Sequence, residues 1–218
     1  MGARLAGWIA LVSALSALNY YGRFTDDNSA NTVRDAVYSY STFANGLVLY
    51  AIILGIVAAI AVDRWDLFVF RRPGSWGRAA GLAILLWLVI LAWEGVVTQL
   101  PIANPSNEQG LTPTRWEPAH AGAFAANCVL FVIVAPVVEE LTFRGVGQSL
   151  LSFLGRWPSI VLVGIAFGLW HGLVEALVIL VPFGIALGYL RDRTRSVVPG
   201  MVVHALFNGA ALAASVLT

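Results

Sequence analysis

The sequence predicts an all-α, polytopic membrane bundle of about seven transmembrane helices, with a four-helix core in its C-terminal half. Three observations carry this expectation. Of 218 residues, 59% are hydrophobic and only 11% charged, and the mean hydropathy is +0.79; a soluble domain carries about a quarter charged residues. Seven stretches reach or approach the roughly 20 apolar residues that a spanning helix needs. The arginines also alternate from one set of helix ends to the other as seven crossings require.

The apolar stretches follow in order. The first is 4–22, the second 43–62 and the third 79–97. The fourth begins near residue 121 and runs into Glu139-Glu140; the fifth is 158–174, the sixth 175–190 and the seventh 197–217. The first is open to a second reading as a cleaved signal peptide, with Arg4 as its basic end and SALSA as its cleavage region. Its length, and the lack of a polar domain after it, favour a retained helix. The segment 98–120 is rich in Pro, Asn, Thr and Gly and reads as a loop with an interfacial turn near Trp116. The chain thus divides into residues 1–120, three N-terminal helices and that loop, and residues 121–218, a block of four helices.

All thirteen basic residues are Arg. Ten of them (Arg4, Arg64, Arg71, Arg72, Arg78, Arg144, Arg156, Arg191, Arg193 and Arg195) fall at one set of helix ends, and Arg23, Arg34 and Arg115 at the other. Basic residues mark the cytoplasmic side, so the N-terminus is expected inside. A net charge of +1 gives no reason to expect a nucleic-acid partner. The single Cys128 cannot form an internal disulfide.

Ionisable groups inside apolar segments are costly, and they pair with one another or serve a function. Glu139 and Glu140 close the run VLFVIVAPVV, and Arg144 follows Glu140 by four residues, a helical ion-pair spacing. His171 closes VLVGIAFGLW, and Phe167 shares its face one turn earlier. His204 and Asn208 stand four apart on the last helix. Gly155 heads the turn between the fourth and fifth helices. Glu139 lies sixteen residues before it and His171 sixteen after it. Equal rise along two antiparallel helices brings the two side chains to one level. Pro136, just before the glutamates, frees a backbone carbonyl and permits a local bend. Gly184 and Gly188 form a small-xxx-small pair that lets a neighbouring helix approach.

These residues carry a resemblance. EELTFR at 139–144 fits E-E-x-x-x-R, FGLWH at 167–171 fits F-x-x-x-H, and HALFN at 204–208 fits H-x-x-x-N. Their order, separation and helical setting resemble the CPBP intramembrane proteases, which include the type II CAAX prenyl endopeptidases. The resemblance covers roughly residues 121–212. It implies a four-helix catalytic core that hydrolyses peptide bonds of a membrane-associated protein or peptide, lipidated or not. It implies that Glu139 activates water, that His171 helps to hold it, and that His204 and Asn208 stabilise the oxyanion. Glu140 pairs with Arg144 in that scheme, and Phe167 packs against His171. The setting it implies is a multi-pass protein of a prokaryotic cell membrane, in contact with membrane lipid.

The same atoms allow a metalloprotease, with Glu139, His171 and His204 on zinc and Glu140 as base. Asn208 beside His204 reads as an oxyanion pair, so the metal-free scheme is the expectation and no cofactor is required. Plainer readings exist for each motif taken alone. Glu139, Glu140 and Arg144 form a structural ion-pair network, His171 is satisfied by a backbone carbonyl, and His204 with Asn208 clamps two helices. Intramembrane Glu, His and Arg also serve proton-coupled transporters, although no inverted repeat supports that here. A non-catalytic scaffold of the immunity type is the third alternative. Glu94, Glu175 and His120 read as interfacial or surface groups, and Asp63, Asp66 and Asp192 as solvated charge among the loop arginines.

Overall fold

A computed structural model describes residues 1–25, 36–99 and 116–217. The expected loop 98–120 lies mostly outside the described residues, as do Arg34 and Arg115. Among the described residues, seven helices form the bundle: α1 (Gly2–Thr25), α2 (Tyr40–Ile60), α3 (Trp76–Val97), α4 (Pro118–Leu154), α5 (Arg156–Trp170), α6 (Leu177–Thr194) and α7 (Val198–Leu217). No strand occurs among the described residues. The all-α bundle is therefore as the sequence predicts.

Five of the helices, α1, α2, α3, α4 and α7, are long and apolar enough to cross a membrane. The other two fall short for separate reasons. Helix α5 has only 15 residues. Helix α6 carries Arg191, Asp192 and Arg193 in its last turn. The apolar side chains of α2 and α3 point outward. Val48, Ile52, Ile56, Ile84, Leu88 and Val89 are all exposed, a surface suited to lipid rather than water. The chain is a multi-pass membrane protein.

Helix α4 is the spine. It is 37 residues long and is not a uniform α-helix. Leu130–Val134 and Leu141–Gly147 are π-helical, with the α-helical Ala135–Glu140 between them. Pro136 sits at the start of that middle piece, where its missing N–H breaks the ladder.

Helix α1 is packed into the core rather than standing apart. Trp8, Leu11 and Val12 are buried, and the Trp8 indole N–H donates to the Thr142 carbonyl at 2.9 Å. At its other end, Asn19 donates to the Trp170 carbonyl at 2.6 Å and Tyr20 to the Leu173 carbonyl at 3.2 Å. These two bonds hold the carbonyls on either side of His171. Gly172 follows with φ 66°, a left-handed turn that glycine adopts without penalty.

Helices α5 and α6 meet at glycines. A methyl group added to Gly184 would lie 2.9 Å from the Gly164 carbonyl oxygen, so the backbones are in contact. A methyl group added to Gly188 would lie 3.3 Å from the Ile160 side chain and from Gln148 Oε1. The Gly184/Gly188 pair therefore serves packing. It also serves α4, because Arg144 donates to the Gly184 carbonyl at 3.0 Å and Gln148 to the Gly188 carbonyl at 3.1 Å. Gly155, with φ 93°, makes the turn from α4 into α5. In the loops, Asp66 is clasped by Arg64 at 2.9 Å through two bonds. The Arg64 hydrogen bond lowers the Asp66 carboxyl below its ordinary value. Asp192 pairs with Arg156 at 2.8 Å.

Candidate active site

The two glutamates of α4 are consecutive, so they point in different directions from the helix and meet different partners. Glu140 meets Arg144. The guanidinium donates to Glu140 Oε1 at 2.8 Å, and both side chains are fully buried. Arg144 also stacks over the Phe167 ring, with Cζ 4.2 Å from its centroid. Glu140 Oε1 lies 3.3 Å from His204 Nδ1. The carboxyl end rests against Gly200 at the start of α7, where a side chain would collide with Oε2.

Glu139 meets the histidines. Its Oε2 stands 3.9 Å from His171 Nε2 and 3.8 Å from His204 Nε2. Both separations are too long for direct hydrogen bonds. Glu139 is 5% exposed, and its Oε2 is buried without a hydrogen-bond partner. The other oxygen, Oε1, accepts a bond from the Tyr50 hydroxyl at 3.1 Å. The expected meeting of Glu139 and His171 across the Gly155 hairpin is thus present in the fold.

The tautomer of His171 follows from its second nitrogen. Nδ1 lies 2.8 Å from the Phe167 carbonyl. A carbonyl only accepts, so Nδ1 carries the proton, and Nε2 of the neutral ring offers a lone pair toward Glu139. Two acceptors face each other across a gap of 3.9 Å. A water molecule, with two O–H donors, can bridge such a gap. His204 stands between the two carboxylates, Nδ1 toward Glu140 and Nε2 toward Glu139. Phe167 is fully buried and meets both imidazoles edge-on, at 4.8 Å from His171 and 5.5 Å from His204. It therefore separates the histidines from Arg144 and walls one side of the site.

Asn208 is placed differently from the three converging groups. It donates to the Phe131 carbonyl at 2.9 Å. The reason lies in α4. In the first π-helical stretch the Ala135 N–H reaches back five residues to the Leu130 carbonyl. One residue on, the same pattern would aim residue 136 at the Phe131 carbonyl. Residue 136 is proline and has no N–H, so that carbonyl is open and Asn208 fills it. The amide keeps a second N–H for another partner.

One carboxylate and two imidazoles form a donor set that zinc accepts. Ligands on a tetrahedral zinc with bonds of 2.0–2.1 Å stand about 3.3 Å apart. The separations of 3.8 and 3.9 Å are wider, and no group of three or more His, Cys, Asp or Glu among the described residues is placed to hold a metal ion.

Residues 121–210 match the family described as "Rce1-like: Type II CAAX prenyl endopeptidase Rce1-like". Over these residues, less than half of its length, the chain is similar to that family. The Rce1-like family is one of CAAX-type endopeptidases, which are hydrolases, and the matched residues carry all three motifs at 139–144, 167–171 and 204–208. No curated protein and no solved structure matches the chain. Tyr50 and Gln148 escaped the sequence reading. Tyr50 left a weak trace as the one phenol within the apolar run 43–62, and Gln148 as the residue one turn beyond Arg144. His120 pairs with Glu117 at 3.2 Å.

Proposed function

We propose that the chain hydrolyses a peptide bond of a membrane-associated protein or peptide, with Glu139 as the base that activates water. The observation that supports this most is the unpartnered Oε2 of Glu139, buried and facing the Nε2 atoms of His171 and His204. A water in that gap donates one proton to Glu139 Oε2 and the other to the lone pair of His171. As the water oxygen bonds to the scissile carbonyl carbon, Glu139 takes its proton. The carbonyl oxygen becomes an oxyanion, stabilised at roughly 3 kcal/mol per well-placed donor by the second N–H of Asn208 and by the Nε2–H of a doubly protonated His204 whose Nδ1–H is held by Glu140. The C–N bond then breaks, and Glu139 returns the proton to the leaving amine. Glu140 and Arg144 hold the imidazole of His204 and the wall formed by Phe167.

We read this mechanism as metal-free, with the N-terminus on the cytoplasmic side of a prokaryotic membrane. A lipidated substrate tail suits a site enclosed by spanning helices. The test is cleavage of a reporter peptide by the full chain in liposomes. Glu139→Gln retains the shape of the side chain and should abolish cleavage with no change in melting temperature. Undiminished cleavage by that variant overturns Glu139 as the base, and no cleavage by the native chain would leave the transporter and scaffold alternatives standing.

A further inference from the structure

Glu139 has two oxygens, and the fold treats them differently. Oε2 faces the two histidines without a hydrogen-bond partner, while Oε1 receives the Tyr50 hydroxyl at 3.1 Å. A carboxylate can only accept, so the phenol is the donor. Tyr50 lies on α2, outside the residues 121–210 matched to the family. Its position depends on Gly46, one helical turn earlier. Gly46 sits directly against Leu130 of α4, where a side chain would collide with the leucine. Helix α2 therefore runs close along α4, and its next turn presents the phenol to Glu139. Tyr50 thus donates to the Glu139 carboxyl from a helix outside α4 to α7.

We infer that Tyr50 is a positioning residue that fixes the rotation of the Glu139 carboxyl, so that Oε2 rather than Oε1 takes the proton from water. This rests on the reading of Glu139 as the base. A helix from outside the matched residues thereby completes the site. The bond does not touch the substrate, so its loss lowers turnover without weakening substrate binding.

The experiment compares Tyr50→Phe and Glu139→Gln with the native full chain in liposomes, using one reporter peptide. Tyr50→Phe removes only the hydroxyl. It is expected to lower kcat about tenfold with KM unchanged, and to lower the melting temperature by no more than the loss of one buried hydrogen bond does. A native kcat in Tyr50→Phe overturns the inference while an inactive Glu139→Gln leaves the base assignment standing. An early-melting Tyr50→Phe with native kcat also overturns it, since the bond is then structural. Activity in Glu139→Gln would remove the base assignment and this inference with it.

Discussion

Arg144 and Glu140 form an ion pair from which water is wholly excluded, with Nη1 2.8 Å from Oε1 and no exposed surface on either side chain. The pair ties the Glu139-bearing segment of α4 to α6 through the Gly184 carbonyl, and to α7 through His204. Buried pairs are seldom a net gain over apolar packing, but breaking one strands a charge.

Arg144→Met should therefore destabilise the protein by about 3–5 kcal/mol. Replacing both partners, as Glu140→Met with Arg144→Met, should recover much of that loss, because no charge is left stranded. Activity should not recover, since His204 loses the acceptor that orients its ring. Chemical unfolding in detergent and the cleavage assay check the two parts separately. Full activity in the double variant would contradict the orienting role.

Asn208 and Pro136 make a second coupled pair. Asn208→Leu leaves the Phe131 carbonyl without a donor, at a cost of about 1–3 kcal/mol. Adding Pro136→Ala restores a backbone N–H that can reach the same carbonyl. Stability should return in the double variant while the cleavage rate stays low, because the oxyanion donor is still missing. A rate that returns together with stability would make Asn208 a helix clamp and no more.

Much of this arrangement was legible in the sequence, and the reason is local geometry. Glu140 and Arg144 pair at the spacing that any helix gives. Glu139 and His171 meet because each lies sixteen residues from Gly155, and antiparallel helices preserve such counts. The π-helical stretches were not legible, because hydrophobic periodicity does not separate a wide turn from an ordinary one over five residues. Their consequence, the open Phe131 carbonyl, was hidden with them, so the sequence did not show which carbonyl Asn208 meets. Tyr50 and Gln148 depend on which helices become neighbours, and nothing in their own segments encodes that.

The contact between α5 and α6 predicts a contrast between glycines. Gly184→Ala would bring a methyl group to 2.9 Å from the Gly164 carbonyl oxygen and should cost about 1–3 kcal/mol through overpacking. It would also push the Gly184 carbonyl away from Arg144. Gly55→Ala, in α2 with nothing near the added carbon, should be neutral or stabilising by up to about 1 kcal/mol from helix propensity. Melting curves of the two variants are the check.

Metal chelation separates the two chemistries that the donor set allows. Prolonged treatment with a zinc chelator should leave the cleavage rate of the reconstituted protein unchanged. A loss of activity that added zinc restores would contradict the metal-free mechanism.

The central claim is that Glu139 and His171 act together on one water molecule. The most direct measurement is kcat for Glu139→Gln, His171→Gln and the double variant in the same liposomes. Groups that act as a unit are strongly non-additive, so the double variant should be no slower than the slower single variant. Losses that multiply in the double variant would show two independent contributions and contradict the shared water.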